Sequence, residues 1–266
     1  MTHNTKALGM SVEYDVVRFK HGNIEQGTTT VATEVPVTLF VNGAEIATLA
    51  CSPGNLQEFG YGFLFTAGFI NSADEVQSVT VDKKRWVLEI DIANPPDQQM
   101  LTKRLFTSGC GRGVMFSSMT ELAQRKPLTN SSSISAATVS HLMRWLQSCS
   151  SLHKSSGGVH SAALSVEGEF PSFSFDDIGR HNAVDKAIGA GLKNNCPFAN
   201  SALLVSGRIS SEILFKARRS EIPIVASFGS VTHQTVLLAR SMELTVIGFA
   251  RGNSFTVYSR PDRIKI

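Results

Sequence analysis

The sequence lacks the features that mark membrane, secreted and nucleic-acid-binding proteins. No apolar run approaches the roughly 20 residues that a membrane-spanning helix needs. Residues 1–10 are polar and contain no apolar core of a secretion signal. The net charge of +3 over 266 residues is small and evenly spread, which does not indicate a nucleic-acid partner. We therefore expect a cytoplasmic protein that binds neither membrane nor nucleic acid.

Cysteine is scarce, and its four occurrences are far apart in the chain, at Cys51, Cys110, Cys149 and Cys196. Without a secretion signal, this distribution argues against a disulfide framework. A G-x-x-x-x-G-K-[ST] stretch is also absent, which excludes a P-loop nucleotide-binding protein.

The zinc ligands of nucleobase deaminases are missing as well. Such a site requires an H-x-E motif together with P-C-x-x-C. His160 is followed by Ser161-Ala162 with no glutamate, and Cys110 has neither the proline nor the second cysteine. We therefore expect no bound metal, which metal analysis of the purified protein would test.

The first half of the chain predicts an α+β arrangement of two hairpins and one helix. Asn42-Gly43 lies between two apolar segments, residues 35–41 and 44–51, which is a strong hairpin signal. Asn55 followed by Glu58 predicts a helix start with a capping box. The second hairpin is predicted for residues 76–81 and 86–92.

The second half begins after residues 126–133, whose composition is typical of a linker. We therefore predict two domains, residues 1–127 and residues 128–266. From residue 202 onward, strand and helix patterns alternate, which predicts a mainly parallel sheet with helices packed on it. Ligands of such sheets bind beyond the carboxyl ends of the strands.

Three predicted strand ends carry small and hydrogen-bonding residues. They are Ser206-Gly207-Arg208, residues 227–230, and the stretch from Ala250 to Ser254. Together they predict a site for a phosphorylated ligand. A fourth polar cluster, around Arg180 and His181, opens a predicted helix whose N-terminus would suit an anion.

A glycine-rich stretch, Thr107-Ser108-Gly109-Cys110-Gly111-Arg112-Gly113, contains a single thiol. A thiolate is the reactive form of cysteine, and a nearby cation such as Arg112 lowers the thiol pKa that controls its supply. The alternatives are an incidental cysteine in a surface loop, or a cysteine–histidine hydrolase that pairs Cys110 with His181.

Seven further motifs follow one another in order from about Glu34 to Tyr258. They are E-V-P-V-T-L-F-V-N-G from Glu34, F-L-F-T-A-G-F-I from Phe63, S-G-C-G-R-G from Ser108, G-G-V-H-S-A-A from Gly157, D-I-G-R-H-N-A-V-D-K from Asp177, S-G-R-I-S from Ser206 and V-I-G-F-A-R-G from Val246. In these motifs and their order the chain resembles one family, the FdhD (NarQ) formate dehydrogenase accessory proteins.

This resemblance implies a sulfurtransferase needed for formate dehydrogenase activity. Such proteins accept sulfane sulfur from a cysteine desulfurase as a persulfide and pass it to a bis-molybdopterin guanine dinucleotide cofactor, of which GDP is a mimic. Cys110 matches the persulfide cysteine. The residues implied to bind the cofactor are Ala250, Arg251, Gly252, Asn253, Ser254 and Phe255, with Arg180, His181, Ser206 and Arg208 as further candidates.

The resemblance also implies a homodimer and a C-terminal three-layer domain similar to the cytidine-deaminase fold without its zinc. One motif position departs from the family pattern, because Gly113 stands where a second cysteine is usual. Release of sulfur through an internal disulfide would need that second thiol. An alternative function is therefore a cofactor-binding chaperone that does not transfer sulfur.

Overall fold

The computed structural model describes residues 8–94, 105–106, 114–115, 127–129 and 132–266. The Cys110 stretch and part of the predicted linker lie outside these residues. The first half contains β1 (Ser11–Lys20), β2 (Asn23–Ala32), β3 (Val35–Val41), β4 (Ala44–Cys51), α1 (Leu56–Ala67), a 3₁₀ turn (Ala73–Glu75), β5 (Val76–Asp82), β6 (Val87–Ile92), β7 (Leu105–Phe106) and β8 (Val114–Met115).

The second half alternates strands and helices as the sequence predicted. Its elements are β9 (Ile134–Ser135), α2 (Ala136–Cys149), α3 (Ser151–Ser156), β10 (His160–Val166), β11 (Phe175–Asp177), α4 (Arg180–Lys193), β12 (Ser201–Val205), α5 (Ser211–Arg219), β13 (Ile224–Ser227), α6 (His233–Ser241), β14 (Thr245–Arg251), β15 (Ser254–Ser259) and β16 (Ile264–Lys265), with 3₁₀ turns at Phe198–Asn200 and Pro261–Arg263. None of the helices in the described part of the chain has the length and apolar character needed to cross a bilayer.

The two hairpins predicted in the first half are confirmed, and they form one four-stranded sheet in the order β4-β3-β6-β5. Asn42 and Gly43 both have positive φ, 47° and 78°, as the tight turn between β3 and β4 requires. Strands β3 and β6 are parallel neighbours at the centre of the sheet.

Helix α1 begins where the sequence predicted, but its cap differs. Asn55 takes the left-handed conformation with φ 55° and makes no side-chain capping hydrogen bond. The predicted capping box is therefore wrong, because an extended backbone is needed to aim the Asn55 side chain at the first turn. The helix ends at Gly68, whose φ of 91° and N–H bonds to Leu64 and Phe65 carbonyls form an αL cap.

The larger sheet has six strands in the order β11-β10-β12-β13-β14-β15. Only the pairs β12–β13 and β13–β14 are parallel, and the other three pairs are antiparallel. The prediction of a mainly parallel sheet, made for the chain from residue 202 onward, is confirmed for β12, β13 and β14 and does not extend to β15 or to the earlier strands β10 and β11. Strand β15 follows β14 after a two-residue turn, and so short a connection permits only an antiparallel partner.

Helices cover both faces of this sheet, which gives the second half three layers. Helix α2 packs on one face through Val139, Leu142, Met143 and Leu146, each about 1% exposed. Helices α4 and α5 pack on the other face, where their apolar side chains join those of α1 and the smaller sheet. The α/β class is confirmed, and the likeness to the cytidine-deaminase fold stays a prediction.

One hydrophobic core therefore contains residues from both halves of the chain. Leu128, in the predicted linker, belongs to this core, and its N–H donates to the Met242 carbonyl over 3.1 Å. The boundary between residues 127 and 128 stays a prediction.

Helices α1 and α4 cross so closely that their backbones touch. An added Cβ on Gly62 would lie 1.8 Å from the Asp185 carbonyl oxygen, and one on Gly189 would lie 1.9 Å from that of Glu58. No real side chain tolerates such distances. The crossing therefore requires glycine in both helices.

We expect Gly62→Ala to lower the free energy of unfolding by about 1–3 kcal/mol or more, because the backbone it meets cannot yield. Gly60→Ala is the matched control in the same helix. Its Cβ would approach only the ends of flexible side chains, Ile90 at 2.6 Å and Leu88 at 3.0 Å. Both variants gain about 1 kcal/mol of helix propensity. Urea unfolding that finds Gly62→Ala as stable as Gly60→Ala would contradict the close crossing.

Candidate functional site

A cavity of about 700 Å³ opens at one edge of the six-stranded sheet. Three of its lining residues come from the carboxyl ends of the parallel strands: Ser206 follows β12, Phe228 follows β13, and Arg251 ends β14. The cavity therefore lies at the edge where the strand ends predicted a phosphate site. That a phosphorylated ligand binds there stays a prediction.

The opposite wall comes from segments to which the sequence assigned no role. Strand β10 runs antiparallel to β12, so its amino end, with His160 and Ser161, reaches the same edge of the sheet. Gly157 and Gly158 precede this strand, and His153 of α3 also lines the cavity. Helix α2 completes the lining with Leu146 and Gln147.

A network of serines shapes this wall. The Ser206 N–H donates to the Ser161 carbonyl over 2.9 Å, and the Ser161 N–H donates to Ser206 Oγ over 2.8 Å. Asp176 lies behind them and accepts from Ser161 Oγ and Ser150 Oγ, each over 2.6 Å. Because both carboxylate oxygens are engaged, the serines are held in fixed positions.

His160 packs against this network. Its Nδ1 lies 3.5 Å from Ser206 Oγ, and a Cβ added to Gly207 would lie 3.1 Å from the same nitrogen. Burial lowers the pKa of His160 from its ordinary value, and the positive charge of Arg180 lowers it further. The imidazole is therefore neutral at neutral pH.

The predicted cofactor stretch from Ala250 to Phe255 forms the turn between β14 and β15, and only part of it faces the cavity. Arg251 and Gly252 line the cavity, whereas Ala250 is 2% exposed and packs in the core beneath α2. Strand alternation explains this split, because neighbouring residues of a strand point to opposite faces.

The remaining residues of that stretch lie on the other side of the hairpin. Asn253 and Phe255 line a separate surface groove with His141 and Arg144 of α2. The Arg144 guanidinium donates to Asn253 Oδ1 and, over 3.3 Å, to the Gly252 carbonyl. Ser254 Oγ donates to the Arg251 carbonyl over 3.2 Å. These contacts hold the turn against α2.

Of the other candidate residues, Ser206 lines the cavity, whereas Arg180, His181 and Arg208 do not. His181 pairs with Glu212, with Nε2 and Oε2 2.8 Å apart. Burial opposes ionisation of Glu212, but the hydrogen bond and charge of His181 outweigh it and lower the Glu212 pKa. Arg180 packs against Gly207, next to His160. Arg208 is exposed on the loop after β12.

Residues of the D-I-G-R-H-N-A-V-D-K motif form a buried joint, a set of ion pairs and hydrogen bonds that connects the two halves of the chain. Asp177 Oδ2 lies 2.6 Å from Lys186 Nζ, and both side chains are fully buried. Asp177 also accepts from the N–H groups of Gly179 and Ser52 over 2.8 Å and 3.0 Å. The Asp177 carboxylate thus lies beside Gly179, the N-cap of α4, and the binding of an external anion at the start of this helix stays a prediction.

A second pair of the motif strengthens this joint. Asp185 lies 2.6 Å from Lys216 of α5 and accepts a 2.8 Å hydrogen bond from Thr66 of α1. Asn182 donates to the Ala50 carbonyl over 2.8 Å. Asp185 and Asn182 therefore fasten α4 to the first half of the chain.

The FdhD/NarQ family model matches residues 32–265 of the chain. The chain belongs to the FdhD/NarQ family.

Two relatives of this FdhD/NarQ protein are both named sulfur carrier protein FdhD. The one from Staphylococcus haemolyticus is 36% identical over 252 residues, which is 94% of this chain and 95% of the relative. The one from Bacillus subtilis is 36% identical over 253 residues, 94% of this chain and 96% of the relative. The chain is thus similar to both over nearly their full length.

A crystal structure from Desulfotalea psychrophila, named as a candidate formate dehydrogenase accessory protein, has the same fold. The TM-score is 0.80 at 26% identity, and the match covers 96% of this chain and 100% of the other.

The cysteines that the structure describes are poor nucleophiles. Burial, followed by the negative charge of Asp177, raises the pKa of Cys51 well above its ordinary value. Burial also raises the pKa of Cys149 and of Cys196. Each of these thiols therefore holds its proton at neutral pH. The motif cysteine of this FdhD/NarQ chain, Cys110, lies outside the described residues.

We expect Lys186→Met to lower the free energy of unfolding by about 3–5 kcal/mol, because it leaves Asp177 as a buried charge without its cation. Lys193→Met is the matched control in the same helix. Lys193 pairs with Glu58 over 2.8 Å, but its side chain is 29% exposed, and such pairs contribute at most about 1 kcal/mol. If urea unfolding finds the same loss of free energy for both variants, the Asp177–Lys186 pair does not have the stabilising role proposed here.

Proposed function

We propose that this FdhD/NarQ protein is a sulfur carrier for formate dehydrogenase. It accepts sulfane sulfur from a cysteine desulfurase on Cys110 and passes it to a bis-molybdopterin guanine dinucleotide cofactor. Family membership supports the proposal, as do the names of the relatives. The observation that carries it is the cavity at the strand ends with Arg251 at its rim.

The sulfur step needs no external oxidant. The Cys110 thiolate attacks the terminal sulfur of the desulfurase persulfide, a new S–S bond forms on Cys110, and the desulfurase cysteine leaves as its thiolate. Cys51, Cys149 and Cys196 are weak competitors, because burial raises the pKa of each. Cys110 is therefore the proposed carrier.

The cavity suits the guanine dinucleotide part of such a substrate. Its volume of about 700 Å³ is within the range of small-molecule sites. Arg251 offers a planar guanidinium that can donate two hydrogen bonds to a phosphate. Phe228 adds apolar surface for a base or pterin ring.

A second candidate function rests on Gly113, which stands where a second cysteine is usual in the family pattern. Without that thiol, the protein cannot release sulfur through an internal disulfide. A cofactor-binding chaperone would need neither thiol. The two functions differ in whether enzyme maturation depends on Cys110.

We expect a cysteine desulfurase with its cysteine substrate to add one sulfur to the Cys110 peptide, as seen by mass spectrometry. Cys110→Ser should abolish this label and should also leave formate dehydrogenase inactive in maturation assays. A label found only on Cys51, Cys149 or Cys196 would show that Cys110 is not the sulfur carrier. Normal maturation with Cys110→Ala would instead favour the chaperone.

We expect Arg251→Ala to weaken GDP binding by about 1.5–3 kcal/mol, the usual contribution of a hydrogen bond to a charged group. Calorimetry measures the affinity, and persulfide loading of Cys110 should be unaffected. Arg85→Ala is the control, because it removes the same charge from an exposed turn between β5 and β6. If Arg251→Ala binds GDP as tightly as Arg85→Ala, the phosphate site lies elsewhere.

A further inference from the structure

His160 and Arg251 lie on different walls of the same cavity. His160 begins β10 and Arg251 ends β14, and two strands, β12 and β13, lie between them in the sheet. At about 4.8 Å for each of the three strand spacings, the two positions are separated by about 14 Å. Both side chains line the cavity, so one ligand that lies across the strand ends can contact both.

The Ser206 hydroxyl lies within hydrogen-bond distance of His160, with its Oγ 3.5 Å from Nδ1. Its oxygen accepts from the Ser161 N–H over 2.8 Å, and that bond leaves the hydroxyl proton free to point at the ring. Because a hydroxyl oxygen has two lone pairs, Ser206 can also accept from Nδ1–H. An anionic ligand on the far edge of the ring selects the first arrangement, in which Ser206 donates to Nδ1 and the neutral imidazole carries its proton on Nε2.

The charges around His160 keep this donor neutral at neutral pH. Burial has the largest effect on its pKa, followed by the positive charges of Arg180, His153 and His181, all of which lower it. Asp177 raises it and is outweighed. When the pH falls below the lowered pKa, the ring gains a positive charge while it keeps the Nε2 proton.

We propose that His160 is a second ligand-binding residue of this cavity and that its Nε2–H donates to a doubly esterified pyrophosphate. This inference rests on the proposed function and names the part of the substrate that β10 contacts. Ser206 acts as a positioning residue, because its donation to Nδ1 supports the tautomer with the proton on Nε2 and requires no contact between Ser206 and the ligand. Protonation of His160 then turns a neutral hydrogen bond into a charge-assisted one.

The test uses GDP-mannose, because its pyrophosphate is esterified at both ends. It therefore lacks the terminal phosphate whose second ionisation falls near pH 6, and any change in affinity between pH 7.5 and pH 5.5 comes from the protein. Calorimetry should find the wild-type protein binding more tightly as the pH falls from 7.5 to 5.5, by up to about tenfold when His160 is fully protonated, the difference between a neutral and a charged hydrogen bond.

Two substitutions separate the donor from the charge. His160→Phe keeps a flat ring but has no N–H, so we expect about tenfold weaker binding at pH 7.5 and no gain at pH 5.5. His160→Gln keeps an N–H donor and cannot be protonated. It should retain most of the affinity at pH 7.5 and lose the acid gain. His233→Phe, at the exposed start of α6, is the matched control for a histidine outside the cavity.

The outcomes distinguish this inference from the function on which it rests. If Arg251→Ala weakens binding while His160→Phe binds like the wild type, the cavity binds the ligand and the role of His160 is wrong. An acid gain that survives in His160→Gln but disappears in His153→Gln would also overturn it. If the wild-type protein binds neither GDP nor GDP-mannose, both the proposed function and this inference fail.

Discussion

The buried ion pair between Asp177 and Lys186 is the constraint on which the rest of the structure depends. Neither side chain reaches solvent, so neither charge can exchange its partner for water. Lys186 also donates to the carbonyls of Ser52 and Asp176 over 3.3 Å each. The pair therefore fixes the end of β11, where Asp176 holds the Ser161 hydroxyl behind the cavity. The geometry of the cavity wall therefore depends on the Asp177–Lys186 pair, which lies outside the cavity.

Local sequence signals predicted most of the fold, whereas features that depend on contacts between residues far apart in the chain were not predicted. Asn42-Gly43 and Gly68 specify their own backbone conformations, and both predictions are confirmed. The direction of a strand depends on which neighbour it pairs with, so the antiparallel pairing of β10 with β12 was not foreseen. The burial of Asp177 beside Lys186 was not foreseen either, because nothing local in the sequence indicates that pair.

The sequence predicted only those parts of the candidate site that come directly after a predicted strand. Ser206 and Arg251 come at strand ends, and both line the cavity. His160 lies at the beginning of a strand, and it reaches the same edge only because β10 runs antiparallel to β12. The G-G-V-H-S-A-A motif was the available signal. A hairpin divides the stretch from Ala250 to Phe255 between two faces, so only Arg251 and Gly252 of it line this cavity, and cofactor binding by the whole stretch stays a prediction.

The contact between Gly62 and Gly189 has a consequence for motion. Helices that meet through side chains can shift by changing rotamers, but α1 and α4 meet through their backbones and have no such freedom. The two halves must therefore move as one rigid body at this crossing. Any adjustment of the cavity to its occupant falls to parts outside the crossing, such as the turn between β14 and β15 and the glycines that follow α3.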